Sequence, residues 1–170
     1  MKLSILLLSF VAFTTTLSSC FLRQPFIEPT SIYYPILISR TAADNNINLT
    51  AAQSVVAAGK FYIYNQYLFL VEKEEGIHIY DNTNIADPEN IGFINIMNIT
   101  DLAISDNSLY ANQSTDLVVL DISDISDVKF LSRIKDVASD ITPDGLMLEE
   151  KYLNDRPKNS IVARWRLIDE

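Results

Sequence analysis

From Gly59 onward short runs of apolar, β-branched and aromatic residues are separated by polar turn residues. Such runs, bounded by turn signals, predict β-strands. Ile63-Tyr64 and Tyr67-Leu68-Phe69 enclose Asn65-Gln66, a tight-turn signal between β-rich runs. Ile77-His78-Ile79-Tyr80-Asp81 and Leu117-Val118-Val119-Leu120-Asp121 predict further strands, each ending in Asp before a turn rich in Asp, Asn, Ser and Thr. In Ser160–Ile168, Ile161, Ala163, Trp165 and Leu167 fall on one face of a predicted strand and Arg164 and Arg166 on the other. Glu72-Lys73-Glu74-Glu75 predicts a solvated hairpin tip, and residues 151–158 an exposed loop. Residues 41–58 begin polar and end small and apolar, which fits a short helix or a loop and strand. Pro25, Pro29 and Pro35 predict an extended tether from Cys20 to about Pro35.

The strand pattern repeats. Ile63–Phe69 recurs as Ile104–Tyr110 at an offset of 41. Ile77–Asp81 recurs as Leu117–Asp121, Asn82–Pro88 as Ile122–Val128, and Ile91–Ile94 as Leu131–Ile134, all at an offset of 40. Asp136-Val137-Ala138 echoes Asp101-Leu102-Ala103 and starts a partial third copy. A period near 40 with several strands per unit is the signature of a propeller blade. The expected fold is therefore mostly β: an antiparallel β-repeat of propeller-like blades, two clear and one partial. Propellers need roughly four to eight blades and repeat folds about three units, so an incomplete propeller is expected. Truncation, closure by self-association, and a smaller sheet packing that uses residues 138–170 all remain open.

The first 20 residues carry a different message. Lys2 precedes an apolar run, Leu3–Phe13, and the stretch from Leu3 to Leu17 is 15 residues long. A spanning helix needs about 20, so the stretch predicts a signal sequence. It closes on Leu17-Ser18-Ser19-Cys20, and Cys20 is the one cysteine of the chain. These residues resemble a bacterial lipobox, which implies lipidation of the Cys20 thiol and a mature protein beginning there. Its acyl chains would exceed the roughly two signals that stable anchoring takes. Phe21, where an Asp would favour inner-membrane retention, points by the same resemblance to the outer membrane, with the periplasmic face favoured. The expected organisation is a signal peptide at 1–19, a tether and N-terminal segment at 20–53, and a β-repeat domain at 54–170. Its repeats cover about 59–97 and 100–137, with a C-terminal strand segment at 138–170.

Leu117-Val118-Val119-Leu120-Asp121-Ile122-Ser123 resembles the LVIVD repeat of bacterial exported proteins, as does Gly59–Tyr64 through Gly76–Asn82. The resemblance spans about 59–137. It implies a propeller-like fold and a lipid-anchored address, and no activity.

Charge narrows the partners. Removing the first 19 of 170 residues leaves 151 and takes away Lys2, so 12 basic residues face 22 acidic ones, a net −10. That balance disfavours nucleic acid and anionic membrane surfaces. Four glycines and six prolines in the whole chain exclude a collagen-like or disordered composition. No nucleophile elbow, phosphate loop or dinucleotide fingerprint is present. His78 is the one histidine, too few for a His-rich zinc site, and it is read as structural or exposed. Asp81 and Asp121, at equivalent positions, are read as turn caps before cation ligands, since equivalent repeat positions encode shape and residues 121–127 offer oxygens but lack the Gly and Glu of an EF-hand loop. No catalytic residue, metal or cofactor is expected. The aromatic residues of the first repeat, among them Tyr62, Tyr64 and Tyr67, offer a stacking surface for a glycan or peptide. The leading expectation is a non-enzymatic, lipid-anchored envelope scaffold for protein or ligand contact. Alternatives are a glycan- or peptide-binding module and a remnant of a longer propeller. The partners expected are the membrane through the lipid, an envelope protein or glycan, and a second copy of the chain.

Overall fold

A computed structural model describes residues 29–168. They form eleven strands and two short helices: β1 (Tyr33–Ser39), α1 (Arg40–Asn45), β2 (Leu49–Thr50), β3 (Ala58–Tyr64), β4 (Tyr67–Glu72), β5 (Gly76–Asp81), β6 (Glu89–Asn95), β7 (Leu102–Ser105), β8 (Ser108–Gln113), β9 (Asp116–Asp121), β10 (Lys129–Ile134), α2 (Glu150–Asn154) and β11 (Ser160–Leu167). The fold is mostly β with several antiparallel sheets. β3 to β6 form one meander, to which β2 adds an edge in the order β2-β6-β5-β4-β3, and β7 to β10 form a second. β1 and β11 make a separate two-stranded sheet. Among the described residues no sheet closes on itself.

The two meanders share one pairing register. Phe61↔Leu70 and Tyr64↔Tyr67 in the first correspond to Leu102↔Ala111 and Ser105↔Ser108 in the second. Tyr67↔Asp81 corresponds to Ser108↔Asp121, and Ile77↔Ile94 to Leu117↔Ile134. Even the register shift before the outer strand recurs: it leaves Ile91 unpaired in the first copy and Leu131 in the second. The turns recur with it. Asn65, Asp106 and Asn107 adopt positive φ at the first hairpins, a region Asn and Asp enter more easily than other side chains.

The core lies between the meanders. Phe69, Val71, Ile77, Ile79, Ile94 and Ile96 from the first sheet meet Leu102, Ile104, Leu109, Ala111, Val118 and Leu120 from the second. These sets are not equivalent positions. In the first copy the inward face carries Ile77 and Ile79, whereas in the second their neighbours Val118 and Leu120 point inward. Opposite faces of the repeat therefore pack on each other, and β3 lies beside β7.

Four expectations are corrected. The tether does not reach Pro35 as loose chain, because Tyr33–Ser39 pairs with β11. The boundary at residue 53 falls away, since Leu49-Thr50 pairs with β6 and belongs to the first sheet. Residues 151–158 are not simply a loop: α2 covers Glu150–Asn154. The strict alternation expected in β11 breaks at a register shift between Ile36 and Leu37 on its partner, so Val162 is buried beside Ile161.

Candidate functional site

Three polar clusters and two clefts gather the chemistry of the described residues. The first cluster sits where α1 meets the second meander. Arg40 opens α1 and is buried, and Asp116, at the start of β9, is wholly buried. Arg40 donates from Nε to Asp116 Oδ2 at 2.7 Å and from Nη2 to Oδ1 at 2.8 Å, a two-pronged pair. Arg133 Nη1 adds a third bond to Asp116 at 3.0 Å, and the Asp136 N–H a fourth at 2.9 Å. Arg133 also donates to Asp44 Oδ1 at 2.7 Å and to Gln113 Oε1 at 2.5 Å. Burial alone would push the Asp116 carboxyl up. The Arg40 guanidinium, the Asp136 N–H and Arg133 outweigh it and hold the group at about 2.

The second cluster lies on the outward face of the first meander. His78 Nε2 and Glu72 Oε2 are 3.0 Å apart, both residues are buried, and the Phe93 ring meets the imidazole edge-on at 4.8 Å. Glu72 also accepts the N–H groups of Val56, at 2.9 Å, and Ala57. Burial raises the Glu72 carboxyl, but those N–H donors and His78 together hold it below its ordinary value. The expectation of a solvated Glu72 is thus overturned: residues 51–57 must cross the sheet from β2 to β3, and this carboxylate ties them down. His78 Nδ1 has no partner among the described residues.

The third cluster joins the C-terminal segment to the second meander. Asp140 accepts from Ser114 Oγ at 2.9 Å and pairs with Arg156.

The larger cleft, about 500 Å³, opens beside this cluster, where the β4–β5 and β8–β9 turns meet the segment after β10. Glu74, Asn98, Asn112, Asp140 and Trp165 line it. Most of its polar groups are already engaged. Asn112 caps the Thr100 and Asp101 N–H groups at 3.0 and 2.7 Å, and Asn98 Nδ2 donates to the Val162 carbonyl at 3.1 Å. Glu74 is half-buried, and that burial raises its carboxyl above the ordinary value. A smaller cleft of about 380 Å³ lies at the opposite end of the meanders, lined by Tyr64, Gln66, Tyr67, Asn107 and Asp124 among others.

The residues singled out in the sequence are dispersed. Cys20 lies outside the described residues. Tyr64 and Tyr67 pack partly buried against the core, and the Tyr64 hydroxyl accepts the Asn107 N–H at 3.2 Å. Tyr62 shares their face of β3 and is more exposed, while Phe61 and Ile63 point the other way. The three tyrosines thus edge the inter-sheet packing and do not make an open stacking platform. Asp81 Oδ1 accepts the Thr83 N–H, and Asp121 Oδ1 the Ser123 N–H, both at 2.8 Å. Each carboxyl is held below its ordinary value by the backbone N–H and hydroxyl of that partner. Asn84 and Asp124 repeat the motif three residues on, toward the Ala86 and Ser126 N–H groups. Among the described residues no group of three or more His, Cys, Asp or Glu side chains is placed to hold a metal ion.

Sequence reasoning passed over Arg40, Asp116 and Arg133. A signal was present: Asp116 falls where the first repeat has Gly76, and Arg133 where it has Phe93, so the second repeat carries a charge pair at two positions that are apolar or empty in the first. No protein-family model matches the sequence, and neither a curated protein nor a solved structure matches the chain.

Proposed function

We propose that this chain is a lipid-anchored protein of the cell envelope, in the outer membrane and facing the periplasm, whose head is a non-enzymatic scaffold for contact with another envelope component. The reading rests on Leu17-Ser18-Ser19-Cys20 closing an apolar run too short to span a bilayer. The head is propeller-like in its plan. Two four-stranded meanders in one register pack face to face with their first strands adjacent, which supports the LVIVD resemblance. The test is a Cys20→Ser chain produced in a bacterium fed labelled palmitate. The parent is expected to carry the label and fractionate with the outer membrane, and the variant to lose the label and to be recovered unprocessed or soluble. Unchanged membrane retention of the variant would sink the anchor.

A second reading, capture of a glycan or peptide, is favoured by one observation: Trp165 and the half-buried Glu74 border the larger cleft together. An aromatic face next to hydrogen-bonding groups suits a sugar ring or a peptide. Screening the parent and Trp165→Ala on glycan and peptide arrays tests it. The expected result is a set of hits lost in the variant; no hits with the parent remove the reading.

A further inference from the structure

The faces that pack inside the chain leave two unpaired counterparts. The inward face of the first meander (Tyr64, Phe69, Ile77, Ile79) has its repeat-equivalents at Ser105, Tyr110, Leu117 and Val119 on the outward face of the second. The inward face of the second meander (Leu102, Ile104, Leu109, Val118, Leu120) has its equivalents at Phe61, Ile63, Leu68, His78 and Tyr80 on the outward face of the first. The intramolecular contact is thus one type of face against the other, and one face of each type stays open, at opposite ends of the pair.

The open face of the first meander is apolar. Phe61 and Ile63 are 65% and 54% exposed, and Leu68, Leu70 and Tyr80 are half-buried. Residues 51–57 cover only its far half, over Glu72, His78 and Phe93, and leave Val56 89% exposed. The outward face of the second carries Ala103 and Ser105, both exposed, Tyr110 and Leu117, half-buried, and Ile134, half exposed, while Val119 on the same face is buried. None of these core-facing equivalents is a carboxylic acid, and His78 is the one base among them, so the net −9 of the chain sets no like charges against each other across such a contact. Exposed apolar side chains grouped on one face, as Phe61 and Ile63 are on the first meander, mark an interaction site.

We infer that a second copy of this chain docks the outward face of its second meander on the outward face of the first meander, head to tail, continuing the packing already made inside each chain. This names a partner for the contact-scaffold reading and rests on that reading, not on the lipid anchor. Such an interface is heterologous: different patches meet, and it either closes a ring or extends. Two copies would stack four meanders, about the lower limit at which propellers close.

Inside the chain, Tyr64 Oη and Asn107 Oδ1 are 3.3 Å apart. Their repeat-equivalents are Ser105 and Gln66, both exposed, and these would be neighbours across the new interface. Two differently tagged full chains, one Gln66→Cys and one Ser105→Cys, are co-produced and treated in membranes with a thiol crosslinker matched to the about 10 Å spacing of packed sheets. The parent, with Cys20 alone, gives the background. The expected product carries both tags, is at least twofold more abundant than either same-tag product, and persists when Cys20→Ser is added to both chains. In detergent, the full chain is expected to sediment with at least twice the protein mass of Ile63→Asp, a change at an exposed position whose circular dichroism should match the parent's. Equal same-tag crosslinking would show a two-fold contact and overturn the head-to-tail arrangement. A parent that sediments as a monomer and gives no mixed-tag product overturns self-association, while membrane release on Cys20→Ser would still stand for the anchor.

Discussion

At Asp116 one carboxylate, shut away from water, accepts two guanidiniums and a backbone N–H. Removing its charge while keeping its shape leaves Arg40 and Arg133 buried without their shared counter-ion. Breaking one partner of a buried ionic cluster costs about 3–5 kcal/mol, so Asp116→Asn is expected to lose that much in urea unfolding followed by circular dichroism. A variant within 1 kcal/mol of the parent would show the cluster to be dispensable. The same carboxyl predicts acid sensitivity. Its folded value, about 2, lies below the ordinary 3.8. Its contribution is therefore full above about pH 4 and fades as pH falls through 2, roughly 2 kcal/mol in all. Glu72 is shifted in the same direction and adds to the effect. Urea midpoints should be flat above pH 5 and fall below pH 4, and Asp116→Asn should flatten that fall.

Elements show where the repeat is enforced and where it is released. A Cβ on Gly76 would stand 2.1 Å from the Ile94 carbonyl oxygen and 2.6 Å from the Phe93 ring. Neither atom has room to retreat within a packed sheet, so Gly76→Ala is expected to cost about 1–3 kcal/mol or more, read as a lowered thermal midpoint. At the equivalent position the second meander carries Asp116, where Arg133 stands in place of Phe93 and the pairing with the outer strand stops at Leu117↔Ile134, one residue short of the Gly76↔Asn95 pair of the first. The Asp81 and Asp121 turns do the opposite and repeat bond for bond. Asp81→Ala and Asp121→Ala should each lower the thermal midpoint slightly, and the double variant by the sum, because the two turns share no hydrogen bond and distant sites add. A double variant no worse than either single one would tie the two turns together. These turns, the hairpin Asn and Asp residues and the β-rich runs between them were legible because local chemistry decides them.

At the scale of the whole molecule the β1–β11 sheet is bound to both meanders. Asn98 holds the Val162 carbonyl, Ser114 Oγ accepts the Val162 N–H at 3.2 Å, and Arg164 reaches Glu75 at 3.0 Å. Trp165, the one tryptophan, lies on that sheet, so its fluorescence reports the cap while far-ultraviolet circular dichroism is dominated by the meanders. The two signals are expected to change at one urea midpoint in the parent. In Asn98→Ala the buried Val162 carbonyl loses its side-chain donor, and the fluorescence midpoint should fall below that of the dichroism. Separate midpoints already in the parent would show the cap to be an independent unit.

Most strands from Gly59 onward, the 40–41-residue repeat, the turn residues and the apolar N-terminus that ends in Cys20 can be read directly along the chain. Each of these depends on residues close in the chain or on a pattern that recurs along it. Which face of each repeat turns inward was set by the packing of one sheet on the other. In a strand with apolar residues on both faces, such as Leu117–Leu120, alternation marks two candidate faces, and the neighbouring sheet chooses between them. The tertiary structure also decided that Arg40 reaches Asp116 across 76 positions, that residues 51–57 cross the first sheet, and that β1 pairs with β11. These contacts join parts of the chain with no shared local pattern, and their free energy comes from burial and charge pairing that exist only once the sheets have met.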